Sequence, residues 1–143
     1  MKSFVLKKGH NLIVDGAPSK NITDVKDSNI IFIHPSSIKN IKVKLLVNKG
    51  DSVKNGTPLF FDKKNEKAIF VSSCSGAVKD IVFGPRRVVE KIEIANDNKN
   101  ESEKIDNAIN KENLLKSGLW TYIRQKPYSK IPHYLSTPKS IFI

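Results

Sequence analysis

The chain has 143 residues, 38% of them hydrophobic, with 25 Lys or Arg against 14 Asp or Glu and a formal charge of +11. That length suits one domain, or one domain with an appendage, and the hydrophobic share suffices for a small β core. The charge does not point to nucleic acid: only Arg86, Arg87 and Arg124 offer the bidentate fork that phosphate and base readers favour, and the lysines are spread from Lys2 to Lys139.

In chain order, Phe4-Val5-Leu6 reads as a short strand closed by Lys7-Lys8-Gly9, and a loop follows with Asp15-Gly16 and Pro18 as turn signals. Ile30-Ile31-Phe32-Ile33 is β-branched and aromatic, and His34-Pro35 stops it because proline cannot donate to a ladder. Ile41, Val43, Leu45 and Val47 alternate with Lys42 and Lys44, the pattern of a half-buried strand. Val47 to Phe60 then forms a strand, a tight turn and a second strand. Gly50 and Gly56 fall where the backbone needs φ > 0, and Val53 is the apolar plug between them. A second half-repeat runs from Ala68-Ile69-Phe70-Val71 through Ser75-Gly76 to Ala77-Val78-Lys79-Asp80-Ile81-Val82. Ile92 and Ile94 mark the last clear strand.

These patterns predict a mainly β barrel-sandwich hybrid over residues 1–96, of the kind seen in biotinyl and lipoyl domains. Its predicted core is Val43, Leu45, Val47, Val53, Leu59, Phe61, Ile69, Val71, Val78, Ile81, Val89, Ile92 and Ile94. Asp62-Lys63-Lys64-Asn65 lies between the half-repeats, at the hairpin tip where such a domain presents its modified lysine.

Residues 97–139 change character. Asn96 to Lys104 carries no apolar residue and reads as a linker. Ile105, Ala108, Ile109, Leu114 and Leu115 recur with helical spacing up to Lys116, and Gly118 suits a C-terminal cap. Leu119 to Arg124 fits a further turn, and Pro127, Pro132 and Pro138 exclude long regular structure after it. Residues 140–143 look like the start of a following domain, so the chain is expected to be part of a longer protein.

Little in this sequence suggests catalysis. Cys74 is alone, so no disulfide framework or Cys-x-x-Cys metal site is expected, and a small structural thiol is the ordinary case. His10, His34 and His133 are scattered, no Gly-x-Ser-x-Gly occurs, and Asp51, Asp62 and Asp80 sit at turns where carboxylates cap amides. No run approaches the ~20 apolar residues of a membrane-spanning helix, and no signal-peptide core is apparent, so a soluble, intracellular chain is expected. Three features are candidates for binding. Lys63 or Lys64 has the position of a biotin or lipoate acceptor, although acceptors usually bracket the lysine with methionines and the chain has only Met1. Arg86 and Arg87, after Gly84-Pro85, suit a partner carboxylate or lipid phosphate if they are not simply solvated. Trp120, Tyr122, Tyr128 and Tyr134, in a proline-rich tail with Arg124, Pro127 and Ser129, have the composition of an interface anchor; packing back onto the sandwich is the bland alternative.

The sequence resembles the N-terminal part of the A-subunits of the bacterial sodium-translocating NADH:quinone oxidoreductases. The resemblance rests on Lys8-Gly9 with Asp15-Gly16-Ala17-Pro18, on Val47 to Gly56, on Leu59 to Asn65, on Ser75-Gly76 and on Arg86-Arg87-Val88. Most specific is Glu112-Asn113-Leu114-Leu115-Lys116-Ser117-Gly118-Leu119-Trp120-Thr121, continuing to Arg124, Lys126-Pro127, Ser129-Lys130, Pro132 and Thr137-Pro138. Pro85 is a departure, since the family's loop there is less rigid. The resemblance implies a peripheral component on the cytoplasmic face of the inner membrane, touching a membrane subunit near the ubiquinone region. NADH, flavins and iron–sulfur centres would be handled by other subunits, and this chain would hold no cofactor. Three rivals stand beside it: a carrier domain modified at Lys63 or Lys64, from a different class; the C-subunit of the related ferredoxin-linked electron-transport complex, whose clustered cysteines are missing from this sequence; and a basic nucleic-acid-binding module.

Overall fold

The computed structural model describes residues 9, 14–106 and 108–141, so the expected strand at Phe4-Val5-Leu6, His10 and the last two residues lie outside the described part. Among the described residues seven strands form two antiparallel sheets: β1 Ile30–Ile33, β2 Val43–Leu45, β3 Ser52–Val53, β4 Pro58–Asp62, β5 Asn65–Val71, β6 Gly76–Phe83 and β7 Val89–Asn96. One sheet has the order β1-β7-β6-β3 and the other β2-β4-β5. The expected sandwich of two layers is therefore what forms. Gly50 and Gly56 take φ of +94° and +95°, as their places in the connections required.

The core lies between the layers. Leu59, Phe60, Ile92 and Ile94 are fully enclosed, with Val47, Val53, Val78 and Val89 around them, and Phe60 stacks on Phe70 with ring centroids 4.6 Å apart. Each large apolar side chain so enclosed contributes about 2 kcal/mol relative to exposure. The predicted core is corrected on β4. Two residues of β4 (from Pro58 to Phe60) are matched by one step on β5 (Val71 to Phe70), a bulge that turns both Leu59 and Phe60 inward. Strict alternation puts Phe61 inside. Instead it is half-buried, with the Lys44 ammonium 5.7 Å from its ring centroid. Ile69 and Val71 are also only half-buried, and Phe70 packs on the core in their place.

Gly76 opens β6 where its backbone passes close to that of β7. A Cβ there would sit 1.9 Å from the Ala95 carbonyl oxygen, and its φ of +147° is closed to other residues, so only glycine fits.

Two expectations for residues 97–139 are corrected. The polar stretch is pinned to the sandwich: Asn55 N donates to Glu101 O at 2.9 Å and Glu103 N to Asn55 O at 2.8 Å, a parallel bridge. Side chains reinforce it, with Ser75 Oγ donating to Asp97 Oδ1 at 2.6 Å and Thr57 Oγ1 to Glu103 Oε1 at 2.8 Å. The helix is also shorter than its apolar spacing suggested: α1 spans Lys111–Lys116. The Asn110 side chain accepts from Asn113 N and caps its start, while the Asn113 amide donates to Asp106 O and Ala108 O, holding the approach non-helical. Ile109 is left almost fully exposed.

Gly118 ends α1 in the left-handed region, φ +76°, and a 3₁₀ turn Leu119–Tyr122 follows. A Cβ at Gly118 would lie 2.9 Å from Val71 Cγ2 and 3.2 Å from Ile69 O, so this glycine also lets the turn lie against β5. The contact builds a second, smaller core from Ala68, Leu115 and Trp120, flanked by Leu114, Ile131 and Tyr134.

Candidate functional site at the lysine hairpin

Asp62 and Asn65 are cross-strand partners, leaving Lys63-Lys64 as a two-residue turn. Neither lysine has positive φ, and both are exposed. The residues that bracket them are buried and hydrogen-bonded. Asp62 Oδ1 accepts from Lys42 N at 2.8 Å and Lys64 N at 3.2 Å, while Lys63 N donates to Lys42 O at 2.7 Å. The carboxylate thus caps backbone amides, as its turn position suggested.

Asn65 reaches the other way. Its Nδ2 donates to Pro132 O at 2.9 Å and its Oδ1 accepts from Tyr134 N at 3.1 Å. Trp120 Nε1 donates to the same Pro132 carbonyl at 2.9 Å, using its second lone pair. Pro132 therefore joins the hairpin to the second core. Sequence reasoning missed Asn65 and Pro132 as partners. The one available signal was an amide residue immediately after a lysine turn, at a place where a simple tip needs no buried side chain.

The other candidates separate into two groups. Trp120 is turned inward against Ala68 and Leu115, so packing back onto the sandwich is what occurs for this aromatic. Arg124 Nη1 donates to the carbonyls of Thr121 and Ile123, closing the 3₁₀ turn that precedes it. Tyr122, Pro127, after a cis peptide bond, and Ser129, with φ +53°, are exposed on the tail. Tyr128 is exposed beside Lys130, whose ammonium lies 5.5 Å from its ring centroid. Arg86 and Arg87 lie in the turn between β6 and β7, both exposed and both in the left-handed region, with φ of +56° and +57°. Two such non-glycine residues cost about 1 kcal/mol or more each. No hydrogen bond or ion pair joins this turn to the tail among the described residues.

The chemistry available is limited. His34 is exposed and His133 stacks on Tyr134 with centroids 4.6 Å apart, so the described histidines share no site. No group of three metal-binding side chains gathers among the described residues. Burial is the main cause that raises the Cys74 thiol above its ordinary pKa, which leaves it protonated and unreactive at neutral pH. No helix among the described residues is long and apolar enough to cross a membrane.

Comparison with known proteins accounts for both parts of the chain. Residues 4–97 match the model of the NqrA N-terminal barrel-sandwich hybrid domain, and residues 105–143 match that of the NqrA second alpha/beta domain. The chain is similar to the A-subunit of the Na(+)-translocating NADH-quinone reductase of Vibrio vulnificus, 36% identical over 150 residues, covering 98% of this chain and 34% of the relative. The protein of the same name from Tolumonas auensis is 34% identical over 151 residues, covering 98% and 34%, and that from Neisseria meningitidis is 33% identical over 148 residues, covering 96% and 33%. The chain spans about a third of the length of these relatives. With the sandwich formed as its half-repeats required and a family model matched along most of its length, the chain belongs to the NqrA family, as its N-terminal barrel-sandwich hybrid region and the beginning of the second domain.

Proposed function

We propose that the chain acts as the N-terminal part of the NqrA component of a sodium-translocating NADH:quinone oxidoreductase, supporting assembly and the quinone-reducing side of the complex. It does so as a peripheral component at the cytoplasmic face of the membrane, in contact with other subunits and with a membrane subunit near ubiquinone. NADH, flavin and iron–sulfur chemistry belong to other subunits in this reading, and the chain carries no redox centre of its own. The observation that carries it is the similarity, along 98% of the chain, to an NqrA protein. The role of the most specific tract supports it. Gly118 to Thr121 is the segment that lies against β5 and ties Trp120 through Pro132 to the hairpin.

The hairpin supports a scaffold over a carrier. A biotin or lipoate ligase must grip the turn around its lysine, yet Asp62 and Asn65 are buried and bonded to neighbouring segments. Intact-mass measurement of the native protein is expected to show Lys63 and Lys64 unmodified, and an added biotinyl or lipoyl mass would establish the carrier instead. For the main reading, residues 1–143 of this chain replace the corresponding third of a relative's NqrA. Co-purification with the remaining subunits and NADH-driven quinone reduction are the expected results. A chimaera that folds but stays out of the complex overturns the proposal.

A further inference from the structure

The lysines that look dispersed along the sequence are gathered by the fold. Lys42 and Lys63 are joined through their backbones, Lys64 shares the Asp62 cap with Lys42, and Lys39 and Lys130 border one small depression with Asp62 and Asn65. Lys44 lies over Phe61, the residue before Asp62, and Lys67 over Tyr134, 5.3 Å from its ring centroid. All of these lysines are exposed and none is in an ion pair among the described residues. The acidic side chains at this end are Asp62, buried and committed to backbone amides, exposed Glu66, and Glu112, which faces Lys67 but is paired with Lys116 at 2.8 Å. At the opposite end of β5, about 20 Å away at strand rise, the charges are mixed, with Lys99 and Lys104 among the acids. Asp97, Glu101 and Glu103 lie there, and Lys54 is paired with Glu101 at 3.1 Å.

We propose that the lysine-rich hairpin end is a docking surface for an anionic lipid bilayer. The residue types select this partner over other acidic surfaces. Protein interfaces are depleted in lysine and enriched in arginine, and phosphate and base readers on nucleic acids likewise favour arginine, yet the one arginine near this cluster, Arg124, is spent on the Thr121 and Ile123 carbonyls. Lysine suits a diffuse anionic surface: its long stem reaches while the ammonium stays hydrated, and each one near such a surface strengthens binding about fivefold. Exposed Tyr128 and Leu135 lie in the segment that covers the hairpin, offering amphipathic and apolar side chains at headgroup depth. The inference deepens the peripheral placement proposed above by naming the surface and the chemistry.

Vesicle sedimentation tests it with the 143-residue chain, using phosphatidylcholine doped with about one-third phosphatidylglycerol against phosphatidylcholine alone. Binding to the anionic vesicles only, weakened by salt, is expected. Lys63→Gln with Lys64→Gln should weaken it about 25-fold, whereas Lys49→Gln with Lys54→Gln, which removes the same charge elsewhere, should change it by less than about twofold. Circular dichroism of both double variants shows that they fold. Equal weakening by the two variants, equal binding to neutral vesicles, no binding at all, or tighter binding to polyglutamate or duplex DNA overturns the proposal. The other subunits are absent from the assay, so its failure leaves membership of the complex standing.

Discussion

The two ends of the sandwich are both closed by chain that follows β7, but by different means. At the Gly76 end, residues 97–103 attach through backbone bonds to Asn55 and through carboxylates to Ser75 and Thr57, next to a strand crossing too close for any Cβ. At the lysine end, Pro132 and Tyr134 attach through a single side chain, Asn65, and through the Trp120 indole. One closure is woven into the sheet, while the other is latched onto it. Damage at the first should therefore spread through the fold, and damage at the second should stay local.

The largest expected effect is at Gly76. In Gly76→Ala the new methyl must push against Ala95 O in a backbone conformation that alanine avoids, and the crossing is between central strands with no flexible side chain to yield. A loss of about 4 kcal/mol or more is expected, enough to leave little folded protein. Soluble yield and urea midpoint measure it. A variant with a near-normal midpoint would mean that the strands tolerate a wider spacing and that this end is not the rigid one.

Trp120→Ala comes next. It removes the largest member of the second core and one of the two donors to Pro132 O. About 3 kcal/mol is expected, but confined to the latch: hydrogen exchange should rise across residues 111–134 while the amides of β6 and β7 keep their protection. Global unfolding would erase the distinction between the two ends. Asn65→Ala sharpens it at lower cost. Losing the bonds to Pro132 O and Tyr134 N should cost about 1–2 kcal/mol, with faster exchange at the Tyr134 amide and the β4–β5 ladder intact. If only the charge-bearing lysines mattered at this end, that variant would leave the tail unchanged.

The two ends also differ in how far the sequence discloses them. Glycines and alternating apolar residues are local signals, so the two layers, the positions of Gly50 and Gly56, and the hairpin tip follow from sequence. The bulge at Leu59-Phe60 does not, because an inserted residue leaves no mark in an apolar run; it exchanges Phe61 for Phe60 in the core. The latch is hidden for another reason. Asn65 lies 67 residues from Pro132, and nothing in either neighbourhood announces the bond. Proline-rich and aromatic composition suggests an outward-facing anchor equally well. Gly118 decides otherwise, since its missing Cβ allows the turn to sit on Val71 and bring Trp120 inward. The lysine cluster is likewise invisible along the chain, because Lys39, Lys42, Lys63, Lys64 and Lys130 meet only when β2, β4 and the tail are assembled.

The smallest effect concerns acid. At the woven end the Ser75 hydroxyl, then the Lys99 amide, hold the Asp97 carboxyl below its ordinary value of 3.8. A carboxyl depressed in the folded state stabilises it above the unfolded value, and that contribution is lost as pH falls from 3.8 through the lower folded value. Asp80, depressed mainly by its hydrogen bond with Lys49, follows the same sign. Because both carboxyls are open to solvent, the shift should be modest. The thermal midpoint should decline below that pH, and Asp97→Asn should flatten the decline while lowering the midpoint slightly at neutral pH. The latch bonds at the other end join an amide and an indole to backbone groups, and the depressed carboxyl of that region, Glu112, is held by Lys116 within α1 rather than by Asn65, so Asn65→Ala should leave the acid limb parallel to that of the parent. If Asn65→Ala flattens the limb as much as Asp97→Asn does, the two closures are coupled through the sandwich and are not independent.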